Sequence, residues 1–362
     1  MQNADGPWEP DAFGTGRVLG LIRERDATTR AELVRETGLS RSTLAKRVQD
    51  LLQLDLVREV EGRASTGGRP PATIVFNPRA GYVLAADVGQ SRTRVAVCDL
   101  GGELCAERTI ASGAPESMRA VLDELLAAAG VDGAAVRGVG VGLAPGWEGF
   151  PSVWKDEVPT LVESQVNTMA LGEHRAHWRE VEHLVYFDVS ATVGCGIVTG
   201  RRIHRGAHGS AGDIAHVRVP GYEHVVCRCG DRGCLDAVAS ADALASRLGV
   251  AGVSEVMALL RAGDAEALRA VQDAGRALGA VLALCINLFN PGAIVIGGDL
   301  AEAHHHLLAG IREVAFARSL PMATRELRMS RGRLGDRAGL IGAAVMVADH
   351  VLAPDSVDAM AH

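Results

Sequence analysis

Residues 212–236 read GDIAHVRVPGYEHVVCRCGDRGCLD, from Gly212 to Asp236. Within nineteen residues His216, Cys227, Cys229 and Cys234 supply an imidazole and three thiols. That is the ligand set of a tetrahedral Zn²⁺. In an extended segment residues two apart face the same way, so Cys227 and Cys229 can reach one ion, and Gly230 and Gly233 let the loop fold Cys234 back onto it. Four protein ligands leave no open position for an activated water, so the expected metal is structural and not hydrolytic. A disulfide between Cys227 and Cys229 is disfavoured by their proximity.

The chain around this stretch has 362 residues, enough for two or three domains with their own cores. With 48% hydrophobic and 22% charged residues it has the composition of a soluble globular protein. Cys98, Cys105, Cys195 and Cys285 lie in apolar sequence and read as small core residues, a usage that fits a reducing cytoplasm. The N-terminus, MQNADGPWEPD, lacks the basic and apolar regions of a signal peptide. The most apolar stretch, Ala277 to Ile296, is interrupted by Asn287, Asn290 and Pro291. It reads as a buried helix followed by a strand, and no membrane span is expected.

The net charge of −7 divides unevenly. Residues 13–79 hold twelve Lys or Arg against eight Asp or Glu, a local +4, which leaves −11 for the rest. A basic module on an acidic body points to nucleic acid as a partner of the first part.

Residues 1–13 form an aperiodic tail expected to be disordered. Over 14–76 the pattern is that of a winged helix-turn-helix DNA-binding domain. Val18, Leu19 and Ile22 line a first helix, and Arg30 to Thr37 forms a short second one. Gly38-Leu39-Ser40 is a tight turn whose serine caps a third helix, Arg41 to Leu52. That helix turns Leu44, Val48 and Leu51 inward and leaves Arg41, Ser42, Thr43, Lys46 and Arg47 outward, the polar face of a recognition helix. Leu56 to Val60 and Thr73 to Phe76 read as strands joined by the wing. Its Gly68-Arg69-Pro70 could lay Arg69 into a narrow minor groove. The bland alternative for Ser40 and the residues after it is a solvated helix face; turn, helix and wing agreeing with one another favours DNA.

Residues 77–80 read as a linker, and strands alternating with helices over 81–354 imply a layered α/β body. Tyr82 to Cys98 and His183 to Val198 are similar hairpins, an echo suited to two α/β halves facing a cleft. Pro159 to Trp178 reads as largely helical, and residues 355–362 as a C-terminal tail.

With these residues in place the chain resembles the repressor, open-reading-frame and kinase (ROK) family. Asp213-Ile-Ala-His216 stands where the family has Glu-Ile-Gly-His, and Cys227-Arg-Cys-Gly-Asp-Arg-Gly-Cys234-Leu-Asp236 matches a family pattern that ends in Glu. Asn77-Pro78, and Asn290-Pro291 before Ile294-Val-Ile-Gly-Gly-Asp-Leu300, are similar too. The resemblance implies a two-lobed body of the actin-like ATPase (ribonuclease H-like) type, which phosphorylates sugars or, joined to a winged helix, regulates transcription.

The kinase motifs are altered. Family kinases carry Asp-x-Gly-Gly-Thr where this chain has Asp87-Val-Gly89-Gln90-Ser91, which puts a side chain where the second glycine admits phosphate. A second glycine-rich cradle is represented by Ser190-Ala-Thr-Val-Gly194-Cys-Gly196. The catalytic base of Glu-Asn-Asp-x-Asn aligns with Gln165 in Glu163-Ser164-Gln165-Val166-Asn167, and an amide has no useful basicity. The resemblance further implies that Ser164, Gln165, Asp213, His216 and Asp236 occupy sugar-binding positions, so the cleft could be empty, take a sugar through altered contacts, or take another ligand. The sequence therefore reads as a non-enzymatic regulator, with repression the expected sign. It would bind an inverted-repeat DNA operator as a homodimer or dimer of dimers, with a sugar-type effector, structural Zn²⁺ and no membrane partner. The competing reading is an ATP-dependent sugar kinase with an accessory DNA-binding domain.

Overall fold

The computed structural model describes residues 13–25, 28–60, 72–90, 92–111, 115–146 and 158–361. At the N-terminus three helices pack around Val18, Leu19, Ile22, Leu33, Leu44, Val48 and Leu51, all essentially without solvent contact. These are α1 (Thr15–Arg23), α2 (Arg30–Thr37) and α3 (Arg41–Gln53). A capping box starts α2: Thr29 Oγ1 accepts from the Glu32 N–H at 3.3 Å and the Glu32 carboxylate accepts from the Thr29 N–H at 2.8 Å. Gly38 ends α2 at φ +65, a left-handed conformation that a side chain disfavours. Ser40 Oγ then accepts from the Thr43 N–H at 3.1 Å and starts α3.

Three strands complete this head in the order β1-β3-β2, with β1 (Thr28–Thr29), β2 (Val57–Val60) and β3 (Thr73–Phe76). Two residues are too few for a sequence period, which is why β1 is not legible. Residues 61–71, where the sequence places the wing with Gly68, Arg69 and Pro70, lie outside the described residues, as does the tail 1–12.

The head is continuous with the body. Asn77 is buried and donates its amide to the Asp55 carbonyl at 2.7 Å, Pro78–Ala80 forms a 3₁₀ turn, and the Leu100 N–H bonds the Pro78 carbonyl at 3.0 Å. The stretch read as a linker is thus a packed corner. One apolar cluster runs from Val18, Leu44 and Ile74 through Val83 and Ala96 to Leu340, Val347 and Val357.

The C-terminus requires a correction: the tail expected over 355–362 is largely a helix, which starts at the last residue of the expected body and runs over 354–360. Pro354, pre-set for a first helical turn, opens this helix, α13 (Pro354–Met360), and Val357 buries itself against α1. Asp358 accepts from the Gly16 N–H at 2.9 Å, and a Cβ at Gly16 would sit 2.2 Å from the Pro354 carbonyl oxygen. With one apolar anchor the segment has no legible period, and only its docking reveals it.

The body consists of two lobes built on one plan. The first sheet has the order β6-β5-β4-β7-β8, with β4 (Tyr82–Val88), β5 (Arg92–Asp99), β6 (Leu104–Ala111), β7 (Val136–Leu143) and β8 (Thr160–Ser164). The second has β11-β10-β9-β12-β13, with β9 (Leu184–Val189), β10 (Val193–Thr199), β11 (Arg202–Ile203), β12 (Ala293–Gly297) and β13 (Arg328–Arg331). In each, the first three strands are antiparallel and the last two join in parallel. The faint hairpin echo in the sequence is therefore a repeated sheet. Strand β8 corrects the expected helix at Pro159: Thr160-Leu-Val pairs with Val139-Gly-Val of β7, and only from Gln165 does the chain turn helical.

Helix α4 (Pro115–Ala129) covers the first sheet on one side. Between the lobes, α5 (Gln165–His177) crosses α12 (Ala338–Val351) in backbone contact, since a Cβ at Gly342 would lie 1.7 Å from the Thr168 carbonyl oxygen. The second lobe adds α6 (Leu235–Ala239), α7 (Ala241–Leu248), α8 (Val253–Arg261), α9 (Ala265–Phe289), α10 (His304–Arg318) and α11 (Pro321–Thr324). By length and composition α9 could cross a membrane, but Val271, Leu278, Leu282 and Ile286 are buried in the second lobe's core, so it is an internal helix. Of the four scattered cysteines, Cys98, Cys195 and Cys285 are buried as expected, whereas Cys105 is exposed on β6, an edge strand whose side chains alternate toward solvent.

Candidate functional site

The four candidate metal ligands lie in the loop between β11 and α6. Short antiparallel pairings, Arg218 with Cys234 and Val226 with Arg232, hold the loop closed. The Cys227 N–H bonds the Asp231 carbonyl at 2.8 Å, and the Gly230 N–H bonds the Cys227 carbonyl at 2.9 Å. These bonds need positive φ at Gly230 (91°) and Gly233 (72°), which glycine supplies without strain. The turn brings His216 Nδ1 to 3.7 Å from Cys227 Sγ and Cys229 Sγ to 3.7 Å from Cys234 Sγ, with all four donor atoms within 4.8 Å of one another.

Zn–S bonds of about 2.3 Å place tetrahedral sulfurs roughly 3.8 Å apart, so the donors present fit such an ion. Burial, then its thiol neighbours, pushes the Cys234 thiol up to about 12. Ionising Cys234 as a ligand therefore calls for a cation beside it. Outside the cluster the Arg218 guanidinium donates to both carboxylate oxygens of Asp231, at 2.7 and 2.8 Å.

On the head, Ser40, Arg41, Ser42 and Lys46 are exposed, while Thr43 and Arg47 are half-buried. Ser40 Oγ lies 2.8 Å from both Ser42 Oγ and Thr43 Oγ1, so the start of α3 is a ring of hydroxyls around free backbone N–H groups. Arg47 turns back to α1, reaching Thr15 Oγ1 at 3.5 Å. The exposed cations that remain on α3 are Arg41 and Lys46.

In the body, the residues at the family's sugar positions have separate surroundings. Gln165 donates its amide to Asp87 Oδ1 at 2.8 Å, and Ser164 is exposed at the start of α5. Glu163 receives Asn167 Nδ2 at 3.0 Å and pairs with Arg205. Asp213 is exposed, and His216 belongs to the cysteine cluster. Both oxygens of Asp236 are engaged, one by the Val193 N–H and one by Arg228, each at 2.9 Å. A cavity of about 730 Å³ between the zinc-type loop, α7 and α9 is lined by Asp236 but by none of the other four. The sequence did not single out Glu163 or Arg228 as polar partners here. Their neighbours in the motifs, Gln165 and Asp236, were the available signal.

Asp87 and Asp188 end the first strands of the two lobes at matching positions, next to last in β4 and β9. Burial pushes Asp87 up to about 6, against the pull of the Gln165 amide and Arg94, and Asp188 up to about 7. A carboxyl raised on folding releases its proton first in the unfolded chain. Stability is thus lost as pH rises from about 4 to about 6 through Asp87. Asp87→Asn keeps a partner for Gln165 without that loss. Urea midpoints should therefore show the variant gaining on the parent between pH 4 and pH 7.5, by on the order of 2 kcal/mol; a difference independent of pH contradicts this account of Asp87.

The ROK family model matches residues 155–350, more than half of the chain. The chain belongs to the ROK family. Over 388 aligned residues it is 28% identical to a putative xylose repressor of Caldicellulosiruptor sp. strain Rt8B.4, covering 94% of this chain and 96% of that protein. Among solved structures, a ROK family transcriptional regulator, a homologue of the E. coli MLC protein, superposes with a TM-score of 0.82 at 25% identity and covers 96% of this chain and 98% of its own. The ROK hexokinase of Thermus thermophilus superposes at 0.62 and 28% identity, covering 97% of itself but only 73% of this chain. The α/β body is thus a ROK sugar-kinase-like body, and the regulator structure extends the match to nearly the whole chain.

Proposed function

We propose that this chain is a DNA-binding transcriptional regulator, a repressor, whose kinase-like body performs no phosphoryl transfer. The observation that carries the reading is the hydrogen bond from Gln165 to Asp87, an amide donating at the residue that aligns with the family's catalytic base. An amide accepts no proton at neutral pH, so a sugar hydroxyl at that position would find no base. The altered cradles and the full-length likeness to a regulator support the same conclusion.

DNA enters at the head. Ser40, Arg41, Ser42, Thr43 and Lys46 present hydroxyls, backbone N–H groups and two cations at the start of α3, which lies in the major groove. Arg47, held against α1, supplies a phosphate contact at the edge, and Gly68-Arg69-Pro70 reaches the minor groove. His216, Cys227, Cys229 and Cys234 hold Zn²⁺, which supplies structural cross-linking and no chemistry to substrate.

The operator is an inverted repeat read by two heads, and so a second copy of the chain is required. Leu284, Leu288, Phe316, Leu320 and Met322 are exposed where α9 and α10 end and α11 begins, tied by Asn287 to the Arg318 carbonyl and the Leu320 N–H. This apolar face is the surface for that second copy, in a dimer or dimer of dimers, in the cytoplasm. A sugar-type effector, in keeping with a relative named for xylose, binds between the lobes near Ser164, Gln165, Asp213, His216 and Asp236 and shifts the spacing of the heads. A coupled ATP-consumption assay with pentoses, hexoses and amino sugars tests the central point. No turnover is expected, and sugar-dependent turnover lost in Gln165→Ala would establish the kinase reading instead.

A further inference from the structure

The recognition face of α3 continues beyond the residues the sequence singled out. Leu44, Val48 and Leu51 are buried, which fixes the rotation of the helix. Arg41, Ala45 and Gln49 fall on one row at intervals of four, flanked by Ser42 and Lys46, and all five are exposed. From Arg41 to Gln49 the helix advances about 12 Å, at about 1.5 Å per residue, comparable to the width of the major groove. Gln53, on the next turn, lies about 6 Å further along the axis, at the helix end. Thr43 and Arg47 are drawn toward the head itself, through the serine cap and Thr15. Gln49 makes no hydrogen bond among the described residues, so both its donor and its acceptor are available.

We infer that Gln49 reads an adenine in each half-site, its amide oxygen accepting from N6–H and its amide nitrogen donating to N7, with the Ala45 methyl beside it against a neighbouring base. A glutamine side chain offers this donor and acceptor pair in the geometry that adenine alone presents in the major groove. Because the amide is neutral, it adds specificity without phosphate attraction, unlike Arg41 and Lys46. The inference rests on the regulator reading of the head and adds to it the identity of a base-reading residue.

The test is selection of randomised duplexes by the full-length chain, in parent and Gln49→Ala forms, each checked for an unchanged melting temperature. The parent should enrich an inverted repeat with adenine at one position in each half-site. The variant should lose that adenine preference by about 10- to 100-fold while other positions persist. The slope of log affinity against log salt should be unchanged. If Gln49→Ala lowers the melting temperature, Gln49→Met, similar in length and a good helix former, takes its place. A repeat selected identically by parent and variant overturns this inference and leaves the regulator reading intact. A parent that enriches no sequence overturns the regulator reading and this inference with it.

Discussion

Cys234→Ser is expected to yield a chain without bound metal and with a second lobe destabilised by on the order of 5 kcal/mol. Apparent binding energies of structural zinc in small modules are on the order of 10 kcal/mol, and here part of that is replaced by the lobe's own apolar core. Cys234 is fully buried and directly precedes α6, whose Leu235 is also buried in that core, so the loss enters the fold as well as the loop. Metal analysis of the purified parent should give one zinc per chain, and the variant none, with its urea midpoint lowered. His216→Cys provides the contrasting case, because a fourth thiolate can complete a tetrahedron; zinc should be retained. A Cys234→Ser chain as stable as its parent would reduce the cluster to four unconnected side chains.

The second large effect is on DNA. Removing both exposed cations of α3 in Arg41→Ala with Lys46→Ala should weaken operator binding by about 100-fold near physiological salt. The slope of log affinity against log salt should fall by about 1.8, at 0.9 per phosphate contact. Neither side chain contributes to the buried set of α3, so the melting temperature should hold. Arg47→Ala should change the slope less, since its guanidinium faces Thr15. Equal slopes in the double variant and the parent would take α3 out of the DNA interface.

Much of this architecture is legible without coordinates because periodicity and capping chemistry are local. Leu44, Val48 and Leu51 define the inward face of α3, and Ser40 marks its start. The cysteine spacing likewise reports the side-chain cluster, because the Gly230 and Gly233 turns that close it sit inside the same stretch. What escapes is what depends on distant partners. Strand β1 exists only because Thr28 and Thr29 pair with β3. Helix α13 forms around Val357 and Asp358 docking on α1, and β8 is a strand because β7 offers it an edge.

The tie between head and body is likewise hidden. Asp349 of α12 bonds Arg23 of α1 at 2.8 Å and also pairs with Arg175 of α5. Those two arginines lie 326 and 174 positions from Asp349, and nothing local announces the pairing. The candidate effector residues show the same limit from the other side. Their motif positions are readable, but that Gln165 is bonded to Asp87 and Asp236 to Arg228 is visible only in the fold.

A regulator of this kind recognises a specific operator. Selection of genomic fragments by the full-length, zinc-loaded protein, followed by sequencing, tests this recognition. The expected result is enrichment of an inverted repeat whose half-sites lie about one helical turn, or a whole number of turns, apart. Fragments recovered with no shared repeat, at an affinity indifferent to sequence, would contradict it.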